Sequence, residues 1–167
     1  MEKYIGVKLI KAMPMNRGEY CRYRGWQGPE DENKYNDGYL VEYLDSPSDA
    51  HPDHAGYISW SPKDVFEEAY RRITDMTFGL AIEAAKKGMK IARRGWNGKG
   101  MFVELMHCGV AHSMVKYNLP GNNKFLQQFL SIDTTGLVTD NPDDRKFVVP
   151  WLASQTDMLA EDWFIVE

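Results

Sequence analysis

Hydrophobic and polar residues alternate with a period of two along several short runs of the chain, a pattern typical of β-strands. In the first half these runs predict strands over 4–10, 38–44 and 56–60. The segment 16–37 between the first two strands is polar and contains glycine, and the segment 45–55, rich in Pro, Asp and Ser, is predicted to form a loop.

Apolar residues at three- and four-residue spacing predict two helices in the middle of the chain. Ser61 is the predicted N-cap of a helix over 62–73, whose first position is a proline. Thr77 is the predicted N-cap of a second helix over 78–87, and Gly88 is expected to end it in the C′ position.

Short strands and one short helix are predicted in the second half. The strands cover 89–94, 101–106, 124–132, 146–151 and 162–166. The first two strands are expected to pair as a hairpin. Ser154 is the predicted N-cap of a helix over 155–161, and segment 109–123 fits no single element.

These elements predict an α+β fold of small antiparallel sheets with one or two packed helices. The chain has 167 residues, enough for one ordinary domain or two small ones. A short joint at Thr74 favours two units, one over 1–74 and one over 75–167, with a single continuous domain as the alternative.

Composition and charge narrow the functional classes. The net charge of −4 does not predict a long basic surface for DNA or RNA, although a local cluster of cations could hold a small anion. No apolar run approaches the ~20 residues of a membrane span, and the charged N-terminus does not resemble a signal peptide. Cys21 and Cys108 indicate a reducing cytosol, with a chance disulfide as the alternative, so a cytoplasmic protein is expected.

The stretch ARRGWNGKGM, residues 92–101, raises the main functional question. As a structural element it predicts a tight hairpin turn at Asn97-Gly98, because both residues tolerate positive φ, with Trp96 in the core. The pattern RGWQG at 24–28 is similar, and a shared turn type would explain the similarity.

As a binding element the same stretch predicts a nucleotide site. Glycines leave backbone N–H groups open to a phosphate, and here they are Gly95, Gly98 and Gly100. Arg94 and Lys99 supply positive charge, and Trp96 offers a flat face for a base, worth roughly 1–3 kcal/mol. Residues 93–101 contain no His, Asp, Glu, Ser or Cys, so a base, nucleophile or metal ligand would have to come from elsewhere.

The C-terminal stretch VPWLASQTDMLAEDWFIV, residues 149–166, has two interpretations. In the structural one, Trp151 and Trp163 are core residues, and residues 154–157 only cap a helix. In the functional one, Pro150 and Trp151 form a pocket wall, and residues 154–157 offer hydroxyl, amide and backbone donors to ribose or phosphate.

Two histidine-containing groups are weak candidates for metal sites. His107, Cys108 and His112 match no standard zinc spacing, and ordinary strand-end residues are the simpler interpretation. The segment HPDH at 51–54 is explained by its turn-forming residues. We therefore expect no metal and no cofactor.

Two long motifs in the second half resemble a known phage family. They are MTFGLAIEAAKKGMKIARRGWNGKGMFVEL and VPWLASQTDMLAEDW, and in this order they are similar to the second type of Thoeris anti-defence protein. The resemblance covers about residues 75–167. Residues 1–74 are similar to an accessory segment common in phage proteins, and this similarity does not indicate what the segment does.

The resemblance implies a mechanism without catalysis. Thoeris immunity produces a cyclic ADP-ribose isomer as an alarm signal, and members of this family act as sponges that bind the signal and leave it intact. They form homotetramers with ligand pockets between subunits, and some relatives hold cyclic dinucleotides at a separate site. A sponge has to outcompete the effector, which requires a nanomolar Kd, or about −12 kcal/mol.

The motifs carry the family's expected binding roles onto this chain. Trp96 is expected to stack on adenine, while Asn97 and Lys99 contact ribose and phosphate. The other expected ligand-binding residues are Arg94, Gly98, Gly100, Pro150, Trp151, Ser154, Gln155 and Asp157. No catalytic residue is implied.

Two other functions are open. One is an enzyme that acts on a nucleotide, with Glu104, Asp157 or a histidine as the base. The other is a phage interaction protein that binds no nucleotide.

Overall fold

The chain forms two compact units, Met1–Arg71 and Arg72–Glu167, in a computed structural model. The structure describes residues 2, 6–47, 51–106, 128–137 and 147–167. A three-stranded sheet belongs to the first unit and a five-stranded sheet to the second, and every strand pair in them is antiparallel. With helices packed beside these sheets, the predicted α+β class is confirmed.

The N-terminal unit is a meander of three strands with two short helices. In chain order its elements are β1 (Ile10–Pro14), α1 (Arg17–Tyr23), β2 (Gly38–Pro47), β3 (Gly56–Pro62) and α2 (Lys63–Ala69). The predicted strands at 38–44 and 56–60 are confirmed. The strand predicted over 4–10 is wrong, because residues 6–9 are not in a strand and Ile10 is only the first residue of β1.

Helix α1 lies in the polar segment 16–37, for which the sequence predicts no helix or strand. Its N-cap is Asn16, whose side chain accepts from the backbone N–H of Glu19 at 2.9 Å. The Glu19 carboxylate in turn accepts from the backbone N–H of Asn16 at 3.0 Å. This reciprocal capping box satisfies two N–H groups that a short helix would otherwise leave unpaired, and the helix buries Tyr20 and Cys21.

Helix α2 is shorter than predicted and differently capped. Ser61 pairs with Tyr39 inside the sheet, so its backbone is committed to β3 and the N-cap position falls on Pro62, without a side-chain hydrogen bond. The predicted extension to residue 73 is wrong because the chain is extended at Tyr70. None of the helix's residues is buried, and Phe66 stacks on the ring of Tyr39 at 4.1 Å between centroids.

The core of the N-terminal unit lies between α1 and the sheet. Its buried apolar residues are Met15, Tyr20, Leu40 and Ile58. Trp60 packs against this cluster and donates its indole N–H to the carbonyl oxygen of Met15 at 2.8 Å. The thiol of Cys21 is free and buried, and Cys108 lies outside the described residues.

The second unit is a sheet of order β7-β6-β5-β4-β8 with one helix packed on it and a short helix at its edge. Its elements are α3 (Phe78–Lys86), β4 (Lys90–Arg93), β5 (Phe102–Met106), β6 (Phe129–Asp133), β7 (Val148–Pro150), α4 (Gln155–Met158) and β8 (Trp163–Val166). Every strand and helix predicted for this unit has a counterpart among the described residues, with ends that differ by a few residues where they can be compared, and 124–127 and 146 lie outside the described residues. The segment 109–123 lies outside the described residues.

Helix α3 begins and ends as its sequence predicts. The Thr77 side chain accepts from Leu80 N at 3.5 Å, and Gly88 has φ +85° directly after the helix. Three alanines of α3 are buried against the sheet, together with Ile91, Val103 and Trp163. Small residues on this helix face allow it to lie close to the strands.

Within the described part of the chain, no helix is both long and apolar enough to cross a membrane.

Candidate functional site

The sheet order brings the two informative stretches of the sequence together. Strand β8 lies beside β4, and Arg93 at the end of β4 is paired with Trp163 at the start of β8. The loop that follows β4, residues 94–101, therefore begins at the same edge of the sheet where α4 leads into β8. Segments about sixty positions apart in the sequence thus become neighbours.

Three tryptophans from these stretches form a tryptophan cluster (Trp96, Trp151 and Trp163). Their ring centroids are 6.0 Å apart for Trp96 and Trp151, 5.4 Å for Trp96 and Trp163, and 5.9 Å for Trp151 and Trp163. Trp163 is fully buried and donates its indole N–H to the carbonyl oxygen of Asp157 at 3.0 Å. Trp96 and Trp151 are half-buried, so neither residue is fully enclosed in the core.

The carboxylate of Asp157 accepts four hydrogen bonds at this edge of the sheet. Its Oδ1 accepts from the indole N–H of Trp96 at 3.0 Å and from Arg93 at 2.8 Å. Its Oδ2 accepts from the backbone N–H of Ser154 at 3.0 Å and from the Ser154 hydroxyl at 2.7 Å. Burial raises the pKa of Asp157, but the hydrogen bonds from Ser154, Trp96 and Arg93 outweigh it and lower the pKa to about 2. The Asp157 carboxylate is therefore ionised at neutral pH, and each of its two oxygens already accepts two hydrogen bonds from the protein.

Arg93 links the Asp157 carboxylate to Asp162, just before β8. Its Nε donates to Oδ1 of Asp162 at 2.8 Å, and the other oxygen of Asp162 accepts from the backbone N–H of Gly95 at 2.7 Å. The hydrogen bond to Asp162 and then that to Asp157 raise the pKa of Arg93 despite its partial burial. The sequence pattern does not single out Arg93, and the amide of Gly95, predicted to be open to a ligand, is already hydrogen-bonded to Asp162.

Arg94 faces a different partner from Arg93, as the alternation of side chains along a strand requires. Its guanidinium donates to Oδ1 of Asp75 and to the carbonyl oxygen of Thr74, both at 2.6 Å. A hydrogen bond from Thr74 and then that from Arg94 lower the pKa of Asp75. The Arg94 side chain is 53% exposed, so its charge is paired yet reachable from solvent.

The 94–101 loop is longer than the two-residue turn predicted at Asn97-Gly98. Positive φ falls on Gly100, at +83°, and not on Gly98, so the predicted turn type is wrong. A Cβ at Gly100 would overlap the carbonyl oxygen of Gly136, and one at Gly98 would overlap the Met101 side chain. These glycines let the loop pack tightly on the neighbouring turn at 134–137. Gly25 of the similar RGWQG pattern has φ +67° whereas Gly95 does not, so the two patterns do not share a turn type.

The remaining predicted binding residues are distributed around the tryptophan cluster. Asn97 and Lys99 are exposed in the 94–101 loop. Pro150 is exposed at the end of β7 and pairs with Ser131, while Gln155 is exposed at the start of α4. The Ser154 hydroxyl also accepts from the backbone N–H of Asp157 at 3.1 Å, which completes a capping box.

The described residues contain no group of three or more His, Cys, Asp and Glu side chains that could hold a metal ion. In the predicted loop at 51–54, His54 instead contacts the hydroxyl of Tyr23 at 2.9 Å and a carboxylate oxygen of Glu42 at 3.2 Å. His107, Cys108 and His112 lie outside the described residues.

Comparison with known proteins adds an independent finding for the second unit. A family model described as a Thoeris anti-defense 2-like domain matches residues 76–166. The chain is also 38% identical over 95 residues to Thoeris anti-defense 2 of Bacillus phage SP01, an alignment that covers 56% of this chain and 97% of that protein. The matched segment contains α3, the 94–101 loop, α4 and all three residues of the tryptophan cluster.

Proposed function

Because this chain belongs to the Thoeris anti-defense 2-like family, we propose that it binds the cyclic ADP-ribose-type signal of Thoeris immunity and holds it without cleavage. Family membership supports the coarser statement, a phage role against Thoeris defence. The sponge mechanism, its ligand and its place of action in the cytosol of the infected cell are our proposal.

The adjacency of Trp96 and Trp151 carries this proposal. Both residues are partly exposed, and their ring planes meet at 68° with centroids 6.0 Å apart. Such rings form a corner, so a base that stacks on one ring has its edge against the other. Base stacking on an aromatic ring is worth roughly 1–3 kcal/mol and suits the adenine of a cyclic ADP-ribose.

The hydrogen bond from Trp96 to Asp157 supports a preorganised stacking face. With its indole N–H held by a buried carboxylate, the Trp96 ring is already oriented before a ligand arrives. Rigid side chains lose less entropy on binding, which is a general route to high affinity. Asp157 then positions Trp96 and does not contact the ligand directly, and Ser154 acts through the same carboxylate.

Polar recognition is assigned to the exposed side chains around this corner. Asn97 and Lys99 are available to ribose and phosphate because both are exposed in the 94–101 loop. Gln155 at the start of α4 and Pro150 at the end of β7 complete the proposed rim. Arg94 would have to exchange its pairing with Asp75 for a phosphate, so its contribution is secondary.

A homo-oligomer, a tetramer by family resemblance, is part of the proposal. Nanomolar binding requires a pocket that removes most of the ligand surface from water, which an open corner on one subunit does not provide. Large apolar side chains lie exposed nearby, with Leu152 93% and Leu159 81% accessible, and Val148 and Val149 are exposed on the edge strand β7. Burying such residues against a second copy would both stabilise the assembly and enclose the ligand.

The saturated state of Asp157 also argues against its use as a general base. A base works best with a pKa near the operating pH, whereas that of Asp157 is lowered to about 2. This favours binding over an enzymatic reaction that would use this carboxylate.

Titration calorimetry with cyclic ADP-ribose isomers tests the proposal. We expect a nanomolar Kd for the natural chain and a loss of about tenfold or more in Trp96→Ala and in Trp151→Ala, because each variant removes one wall of the corner. Tyr57→Ala, an exposed aromatic of the N-terminal unit, is the matched control and should bind as the natural chain does. Undetectable binding, or unchanged affinity in Trp96→Ala, would contradict the proposal. The same titrations with cyclic dinucleotides test the separate site that the family resemblance implies.

A further inference from the structure

A cavity lies in the N-terminal unit, outside the segment matched by the family model. Its volume is about 560 Å³, and it is bounded by α1, the loop at 26–30 and the segment at 32–35. The lining residues used below are Arg17, Cys21, Arg22, Trp26, Lys34 and Tyr35.

Backbone hydrogen bonds fix the walls of this cavity relative to one another. Gly18 N in α1 donates to the carbonyl oxygen of Lys34 at 2.8 Å, and Trp26 N donates to that of Cys21 at 2.8 Å. A Cβ at Gly18 would lie 3.0 Å from Lys34, and one at Gly28 would lie 3.1 Å from the sulfur of Cys21. Because α1 lies close to both neighbouring segments, the position of the cavity walls is fixed by the fold of the unit.

Two aromatic rings at this cavity are unusually exposed. Trp26 is 50% and Tyr35 is 86% accessible, although both border a concave surface. The guanidinium of Arg24 lies 4.3 Å from the centroid of the Trp26 ring, and Tyr20 meets the same ring edge-on at 6.0 Å. Trp26 is thus supported by a cation and a second ring, while half of the residue's surface is exposed to solvent.

The side chains that line the cavity carry a net positive charge. Arg17 is neutralised by Glu32, with Nε 2.9 Å from both carboxylate oxygens. Of the other lining side chains, Arg22 and Lys34 are cationic, and the acidic one is Glu30. Arg22 lies one helical turn after Gly18, and Lys34 is held against Gly18, so both cations belong to the same wall.

We propose that this cavity is a second ligand site, which binds a nucleoside monophosphate through its base and its phosphate. The base stacks on Trp26, where Arg24 already supports the ring, and the phosphate pairs with Arg22 and Lys34. A flat aromatic group joined to an anion is the ligand chemistry that matches exposed rings beside cations. This site is in a different unit from the tryptophan cluster and does not depend on the function proposed there.

Calorimetry on the full chain with AMP, GMP, CMP and UMP tests the second site. At least one monophosphate should bind with one molecule per chain, and Trp26→Ala and Arg22→Ala should each weaken it by about tenfold. Lys63→Ala removes an exposed cation outside the cavity and is the matched control, with unchanged affinity expected. Circular dichroism and urea unfolding show in the same samples that each variant is folded.

Four results would overturn this inference. They are no binding of any monophosphate, unchanged affinity in Trp26→Ala, equal affinity for the bare nucleoside or for inorganic phosphate, and displacement of the monophosphate by a cyclic ADP-ribose isomer. The last result would place the nucleotide at the tryptophan cluster, whereas the first three leave the function proposed for that cluster untouched.

Discussion

The indole N–H of Trp96 donates a 3.0 Å hydrogen bond to Oδ1 of Asp157, 61 positions further along the chain. The other oxygen of that carboxylate accepts from the backbone and the hydroxyl of Ser154. One buried group therefore joins the 94–101 loop to α4. Because the hydrogen bond fixes the rotation of the ring, Asp157 is a positioning residue for the stacking face proposed at Trp96.

Asp157→Asn should weaken the binding of a cyclic ADP-ribose isomer by about tenfold, because a Trp96 ring that is no longer held costs more entropy to order. Titration calorimetry measures this. Glu161→Gln alters an exposed carboxylate nearby and should leave the affinity unchanged. In a Trp96→Phe background, which lacks the indole N–H, Asp157→Asn should have little further effect on affinity. Full affinity in Asp157→Asn would mean that the ring does not depend on this carboxylate.

The stability of the second unit should depend on pH through Asp157. The pKa of this group is lowered from 3.8 to about 2, so its charged form stabilises the fold above pH 3.8 and the stabilisation is lost as the pH falls towards 2. The shift corresponds to roughly 2 kcal/mol, of which about half is lost between about pH 5 and pH 3. Urea unfolding of the natural chain and of Asp157→Asn should therefore show a difference in unfolding free energy that shrinks over this range. A difference in unfolding free energy that does not change with pH would contradict the lowered pKa of Asp157.

The two neighbouring arginines should contribute very differently to stability. Arg93→Ala leaves the two carboxylates of Asp157 and Asp162 without their shared cation, and we expect a loss of about 3 kcal/mol. Arg94→Ala breaks a half-exposed pair with Asp75 and should cost less than about 1 kcal/mol. Urea unfolding of the two variants, matched in residue type and adjacent in sequence, makes the comparison. Equal losses would show that the Arg93 network adds nothing beyond a surface ion pair.

Gly100→Ala should destabilise the second unit by about 2 kcal/mol or more, because a side chain at φ +83° is strained and its Cβ would overlap the carbonyl of Gly136. Gly79→Ala is the control, since this glycine is in helix α3 and a Cβ there meets nothing closer than 4.0 Å. That second variant should be neutral or more stable by about 0.5–1 kcal/mol. Thermal unfolding compares the stabilities of the two variants. An unchanged melting temperature in Gly100→Ala would show that the 94–101 loop can accommodate a side chain there.

Local sequence signals predicted the second unit more accurately than the first. Thr77 and Gly88 marked both ends of α3, and Ser154 marked the start of α4, because capping depends on neighbouring residues alone. Helix α1 was missed although its capping box was readable in Asn16 and Glu19, since its apolar face is too short to show a period. At Ser61 the cap signal was overridden by strand pairing, which is a tertiary effect.

The sequence predicted that Trp96 and Trp151 lie close together, but it did not predict the contacts around them. Residue types alone indicated Trp96 and Trp151, and the sheet order brings these two rings together. Which of Arg93 and Arg94 faces α4 depends on the register of β4 against β8, which the sequence does not reveal. The sequence also does not reveal the role of Asp157, because its hydrogen-bond partner Trp96 lies 61 positions away in the chain.

The fate of the bound signal tests the central claim most directly. The natural chain is incubated with a cyclic ADP-ribose isomer, separated from free ligand, denatured by heat, and the released nucleotide is identified by mass spectrometry. We predict that the intact cyclic molecule is recovered in amounts close to one per binding site, and that Trp96→Ala retains less of it, in line with its weaker affinity. Recovery of a linear or otherwise altered nucleotide would contradict the proposal, because the protein would then act on the signal as an enzyme.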